Sequence, residues 1–82
     1  MNICFFIGKI ISDIQFEFIL NSKNISICIF KIQIENNNII TIKSYNEIAD
    51  KCYKDLVKGD IIGIQGYINS KMEIVIEDFE IA

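Results

Sequence analysis

The stretch IITIKSYNEIADKCYKDLVKGDIIGIQGYIN, residues 39–69, changes its apolar period twice. From Ile39 to Tyr45 the side chains alternate, with Ile40 and Ile42 on one face and Thr41, Lys43 and Tyr45 on the other. Such alternation marks a strand with one buried face. Ile48, Cys52 and Leu56 then recur every fourth residue, the spacing that gathers side chains on one side of a helix. Ser44 and Glu47 stand at capping-box spacing with Asn46 as a competing N-cap, and Lys58-Gly59 offer a basic last turn and a C-cap glycine. From Ile61 to Asn69 the period of two returns, with Ile62, Ile64, Gly66 and Ile68 set against Gln65, Tyr67 and Asn69. The segment reads strand, short helix, strand.

Working outward from it, two apolar period-two segments precede and one follows. The first runs from about Ile3 to Phe18, with Cys4, Phe6, Gly8, Ile10, Ile14, Phe16 and Phe18 in phase and Lys9, Asp13, Gln15 and Glu17 out of phase. That is long for one strand, and Gly8 within it predicts a bend or bulge by which a single strand serves two sides of a small barrel. The second runs from Ile25 to Glu35. Its apolar phase switches near Ile29, from Ile25, Ile27 and Ile29 to Phe30, Ile32 and Ile34, which predicts a second curve or bulge. Asn36, Asn37 and Asn38 read as a turn, and a tight turn at Ser70-Lys71 leads into the last strand, Glu73 to Ile81. Three strands, one helix and two strands are the element order of the OB fold, a five-stranded Greek-key barrel with its helix between strands three and four. The expectation is an all-β domain of this kind; an open mixed sheet with one helix is the competing architecture.

Composition agrees. The chain holds 22 Ile and six Phe among its 82 residues and no Pro, so residues suited to a pleated, half-buried surface dominate. No linker or repeat divides it, so residues 1–82 are expected to form one domain. Arg, His and Trp are absent beside abundant Ile, Asn and Lys, a pattern that fits AT-rich coding more than function. Cys4, Cys28 and Cys52 cannot all pair and have no His or close Cys neighbour, so they predict buried thiols in a reducing cytoplasm rather than a metal site. Lys9, Asp13 and Glu17 interrupt the apolar N-terminus too early for a leader or a membrane helix. A soluble, cytoplasmic, unprocessed chain is expected.

Net charge is −3, which weighs against a polyanionic partner, but the acids are unevenly placed. Residues 1–46 carry four Lys against three acids, and residues 47–82 carry four Lys against eight. An anionic partner would be met by the first half.

Several runs now point further. Phe5-Phe6-Ile7-Gly8-Lys9-Ile10 with Asp13 soon after, then Tyr45-Asn46-Glu47-Ile48-Ala49-Asp50, Leu56-Val57-Lys58-Gly59-Asp60 and Ile64-Gln65-Gly66-Tyr67-Ile68, resemble in order the first strand, aromatic position, helix, Lys-Gly-Asp turn and following strand of bacterial single-stranded DNA-binding proteins. The resemblance implies an OB-fold core that binds single-stranded DNA with little sequence preference, in replication, repair or recombination, without catalysis or cofactor, as a homo-oligomer of two or four copies. It implies that Tyr45 stacks on bases, with Tyr67 outward on the next strand, while Lys9, Lys23, Lys31, Gln33, Lys43 and Lys71 surround the strand. Glu73, Glu77, Asp78 and Glu80 would repel phosphate on that face, so the reading requires them on the barrel's far side. The loops here are shorter than the family's, which argues against wrapping of long DNA. Nothing after Ile81-Ala82 matches the family's acidic tip, so recruitment of replication proteins by a tail is not expected.

Two other functions compete. Catalysis has no His, no nucleophile beside a base, no glycine-rich phosphate loop and no metal-ligand spacing to work with. A protein-interaction module of OB fold, such as a primosome accessory subunit with little DNA affinity, is the stronger alternative, with Ile3, Phe5 and Ile7 as its outward apolar surface or as an oligomer interface.

Overall fold

The computed structural model describes residues 2–20 and 24–82. In chain order it comprises β1 (Cys4–Ile10), β2 (Gln15–Ile19), β3 (Ile25–Gln33), β4 (Ile39–Tyr45), α1 (Asn46–Asp55), β5 (Ile61–Ile68) and β6 (Ile74–Ile81). The strands lie in the order β1-β5-β6-β4-β3-β2, and a further pairing of β1 with β3 closes the sheet into a barrel. All pairs are antiparallel except β4 with β6.

β1 and β2 are the two halves of the long first segment, and counting them as one bent strand gives the five-stranded OB barrel. Both halves run along β3: Lys9 faces Gln33 and Ile10 faces Ile32, then Gln15 faces Ile29 and Ile19 faces Ile25. The bend between them is pinned by Ser12, whose Oγ accepts the Lys31 N–H at 2.8 Å, and by the Ile11 N–H, which donates to the Lys31 carbonyl at 3.0 Å. Gly8 marks the closure point, since a β-carbon there would lie 2.7 Å from the Gln33 carbonyl oxygen. Because of the split, the helix falls between the fourth and fifth strands in chain order, not between the third and fourth.

β3 differs from the expectation of a second bulge. Its register with β2 and with β4 runs through without a shift, and Ser26, Cys28, Phe30 and Ile32 all point inward and are buried. Ile25, Ile27 and Ile29 therefore face outward on an unbroken strand. The register irregularity lies instead between Gln65 and Gly66, where β5 meets β6.

The core is dominated by Ile10, Phe30, Ile32, Ile42 and Ile62, with Ala49, Cys52 and Leu56 of α1 packed against it. Burying each such aliphatic side chain contributes about 1.5–3 kcal/mol. Cys28 and Cys52 are fully buried free thiols; the neighbouring Cys28 side chain, together with burial, pushes the Cys52 thiol well above the ordinary thiol range.

The ends of α1 depart from the capping reading. Ser44 is buried and its Oγ donates to the Cys28 carbonyl at 3.4 Å, so it makes no capping box; Tyr45 is the N-cap, without a side-chain cap bond. The helix stops at Asp55, because Leu56 turns to extended backbone and enters the core. Gly59 lies beyond the helix, at φ 100°, and its N–H donates to the Ile10 carbonyl at 2.8 Å. That glycine thus ties the turn after the helix to the end of β1. The Asn triplet does form a turn, with Asn36 and Asn37 both left-handed at φ 60°.

Among the described residues the sheet is left unpaired along the side of β2 away from β3 and along part of β1. β1 pairs with β5 along Cys4 to Lys9 but with β3 only at Lys9 and Ile10, so among the described residues its other edge from Cys4 to Gly8 has no partner strand. Phe5 and Ile7 on this strand are 72% and 75% exposed. A cleft of about 640 Å³ lies beside them, lined by Gly63, Gln65, Asp78 and Glu80 among others.

Candidate nucleic-acid interface

Residues opposite one another in a sheet share a face, so the registers map the outer surface directly. Ile27 faces Tyr45, with Glu17 beyond on β2. In the next row Gln15, Ile29, Lys43, Val75 and Tyr67 follow one another across β2, β3, β4, β6 and β5. Lys31 faces Thr41 in the third row, and Lys9, Gln33 and Ile39 make the fourth. Rows are two residues apart, so the stripe from Tyr45 to Gln33 is roughly 20 Å long.

The outer face thus gathers Lys9, Lys31, Gln33, Lys43, Tyr45 and Tyr67. Lys9, Lys31 and Tyr67 are exposed, whereas Gln33, Lys43 and Tyr45 are half-buried. The Gln33 Nε2 donates to the Asn37 Oδ1 at 2.9 Å, which holds its amide toward the turn at the end of the stripe. Lys71 stands in the β5–β6 turn, where the Asn69 Oδ1 accepts its backbone N–H at 2.9 Å and that of Glu73 at 3.0 Å. Lys23 lies outside the described residues.

Two features of this face were not read from the sequence. Ile27 and Ile29 form a half-buried apolar strip beside Tyr45 and Lys43, and Val75, only 5% exposed, flanks Lys43 on its other side; the constant odd-numbered phase of β3 is the signal, hidden by the larger run of inward isoleucines after it. Glu73 is the second. The requirement that it lie on the far side fails: its Oε2 is 2.9 Å from the Lys43 Nζ, because parallel docking of β6 beside β4 brings residue 73 to the middle of the stripe. The hydrogen bond to Glu73 raises the Lys43 ammonium pKa, and the same bond, with one from Asn69, lowers that of the Glu73 carboxyl. Asp78 and Glu80 also point outward: Asp78 stands opposite Gln65, one outward position along β5 from Tyr67, and Glu80 opposite Gly63, both beside the β1 cleft, so only their distance from Lys43 and Tyr45 separates them from the stripe.

This arrangement can hold an extended polyanion with flat, apolar faces along it: ammonium groups at several points, two phenol rings and an aliphatic strip beside them. Known structures share the architecture. An SSB domain from Synechococcus superposes at TM-score 0.86 over 98% of this chain and 94% of its own, at 12% identity. The single-stranded DNA-binding protein from Thermus aquaticus matches at TM-score 0.85 and 15% identity over the whole of this chain and 40% of its own. A small single-stranded DNA-binding protein from Streptomyces coelicolor matches at TM-score 0.77 and 13% identity, over 98% and 91% of the two chains. The fold is that of single-stranded DNA-binding domains. No protein-family model matches the sequence, and no curated protein does. The fold is thus shared at only 12–15% sequence identity. Among the described residues no group of His, Cys, Asp and Glu is placed to hold a metal ion, and no helix is long and apolar enough to cross a membrane.

Proposed function

We propose that this chain binds single-stranded DNA across the outer face of β3 and β4, without catalysis and with little sequence preference. The observation that carries the reading is the row of Ile29, Lys43, Val75 and Tyr67 with Tyr45 beside it: charge, aromatic ring and apolar strip on one continuous surface of a barrel with the single-stranded DNA-binding fold. Tyr45 and Tyr67 stack on bases, each stacked base contributing about 1–3 kcal/mol. Lys9, Lys31 and Lys43 meet phosphates along the stripe, Gln33 bonds to the strand at its end, and Lys71 and Lys23 add charge from the segments between β5 and β6 and between β2 and β3. The role is one in replication, repair or recombination. It is carried out by a homo-oligomer of two or four copies, because one small barrel with few lysines holds a strand weakly and gains by avidity. The open β1 edge with Phe5 and Ile7 is the surface on which a second copy seats, since unpaired, uncharged strand edges pair readily.

The test is fluorescence anisotropy with labelled oligo(dT) at low and moderate salt. Tyr45→Ala should weaken binding by roughly 1–3 kcal/mol, and Lys31→Ala should reduce the salt slope by about 0.7. Failure to bind even at low salt would remove this reading. It would leave the protein-interaction module, which the neutralised Lys43 and the apolar β1 face favour.

A further inference from the structure

Among the described residues, one ion pair crosses the outer face, and it occupies the centre of the stripe. The Lys43 Nζ lies 2.9 Å from the Glu73 Oε2, with the two side chains 22% and 23% exposed. The other oxygen, Oε1, accepts from the Asn69 Nδ2 at 3.1 Å, and Asn69 in turn holds the backbone N–H groups of Lys71 and Glu73. A single carboxylate thus neutralises the lysine between Ile29 and Val75 and fastens the turn that carries Lys71. A strand phosphate reaching Lys43 would need the position that this carboxylate holds.

We infer that Glu73 is an internal substitute for phosphate: it occupies Lys43 in the free protein, gives way when a strand enters, and so sets the affinity and the salt dependence of the face. This rests on the single-stranded DNA reading above. In the free protein Lys43 is already paired, so binding there exchanges one ion pair for another and gains less than a free lysine would. Lys9 and Lys31 have no such partner among the described salt bridges, so they carry the first encounter and Lys43 engages second. The displaced carboxylate also releases its hold on Asn69, which loosens the Lys71 turn toward the bound strand.

The experiment is an anisotropy titration of labelled oligo(dT) against wild type, Glu73→Gln, Lys43→Met and the double variant, at several salt concentrations. Gln keeps an oxygen for the Asn69 amide, and Glu73→Ala serves as a second variant; thermal unfolding confirms that each protein is folded. Glu73→Gln should bind about three- to tenfold tighter at low salt, with a salt slope steeper by about 0.7, and the gain should vanish when Lys43 is already Met. Binding by Glu73→Gln where wild type does not bind would support the inference as well. Wild-type binding that Glu73→Gln leaves unchanged or weakens would overturn the role of Glu73 while keeping the DNA reading. An equal gain in the Lys43→Met background would also overturn it, since the acid would then act as a general repulsive charge. Binding by none of the proteins would overturn both.

Discussion

Gly66 lies against the carbonyl oxygen of Val75, with no room between them for a β-carbon. The contact sits at the register irregularity beside Gln65, between β5 and β6. Gly66→Ala must push backbone against backbone and should destabilise the fold by about 3 kcal/mol, at the upper end of overpacking costs. Gly63 on the same strand meets only the Ile7 side chain at 4.0 Å, so Gly63→Ala should change stability by less than about 0.5 kcal/mol. Urea unfolding of the pair tests this, and equal effects would contradict it.

The open β1 edge has a consequence in solution. Phe5→Lys with Ile7→Lys places two ammonium groups on the strand where a second copy is proposed to seat, and lysine on an edge strand blocks pairing. Light scattering should show the double variant as a monomer at concentrations where wild type is a dimer or tetramer. Its melting curve should lose any dependence on protein concentration.

The three thiols differ in access. Cys4 is partly exposed, whereas Cys28 and Cys52 are free thiols fully buried beneath α1 and the barrel wall. A maleimide added to the folded protein should therefore label one site, and after unfolding three, as counted by mass spectrometry. Labelling of two or three sites at the rate of Cys4 would show that α1 opens readily from the barrel.

The Lys43–Glu73 pair should also be visible in stability against pH. The Glu73 carboxyl is lowered in the folded state, so its contribution is present above the unfolded carboxyl value and lost as pH falls through the folded one. The Lys43 ammonium is raised, so its contribution is present below the unfolded ammonium value and lost as pH rises through the folded one. The difference in melting temperature between wild type and Glu73→Gln should thus be widest between these limits and close toward either end. A difference independent of pH would show that the pair does not contribute through its charges.

Which parts of the fold are legible in the sequence follows from which interactions are local. β4, α1 and β5 were legible because alternation and four-residue spacing are properties of the chain itself, and the Asn36-Asn37 turn because asparagine tolerates left-handed backbone. The helix end was misplaced because Leu56 is drawn inward by the core and Gly59 bonds to Ile10, both long-range effects. Ser44 matched a cap by spacing, yet it is buried and turned to β3. The outward phase of Ile25, Ile27 and Ile29 is not legible, because isoleucines on the outer face of a strand mimic a shift of register. Of the candidate site, the resemblance singles out Tyr45, alternation sets Lys43 on its face, and the order of β3 and β4 brings Lys31 beside them. Glu73 came from the docking of β6 beside β4, which no local pattern encodes.

Barrel closure joins β1 to β5, segments more than fifty residues apart: Cys4 faces Gly66 and Lys9 faces Ile61. A growing polypeptide therefore cannot complete this structure until β5 has been synthesised, and until then β1 waits as an apolar ribbon with no strand for Cys4 to Gly8 to pair with. Forming such contacts between sequence-distant residues is entropically slow, and the waiting segment is prone to stray association. Production of the protein should be most vulnerable in that interval, and in vitro refolding should give more monodisperse material from dilute than from concentrated solution.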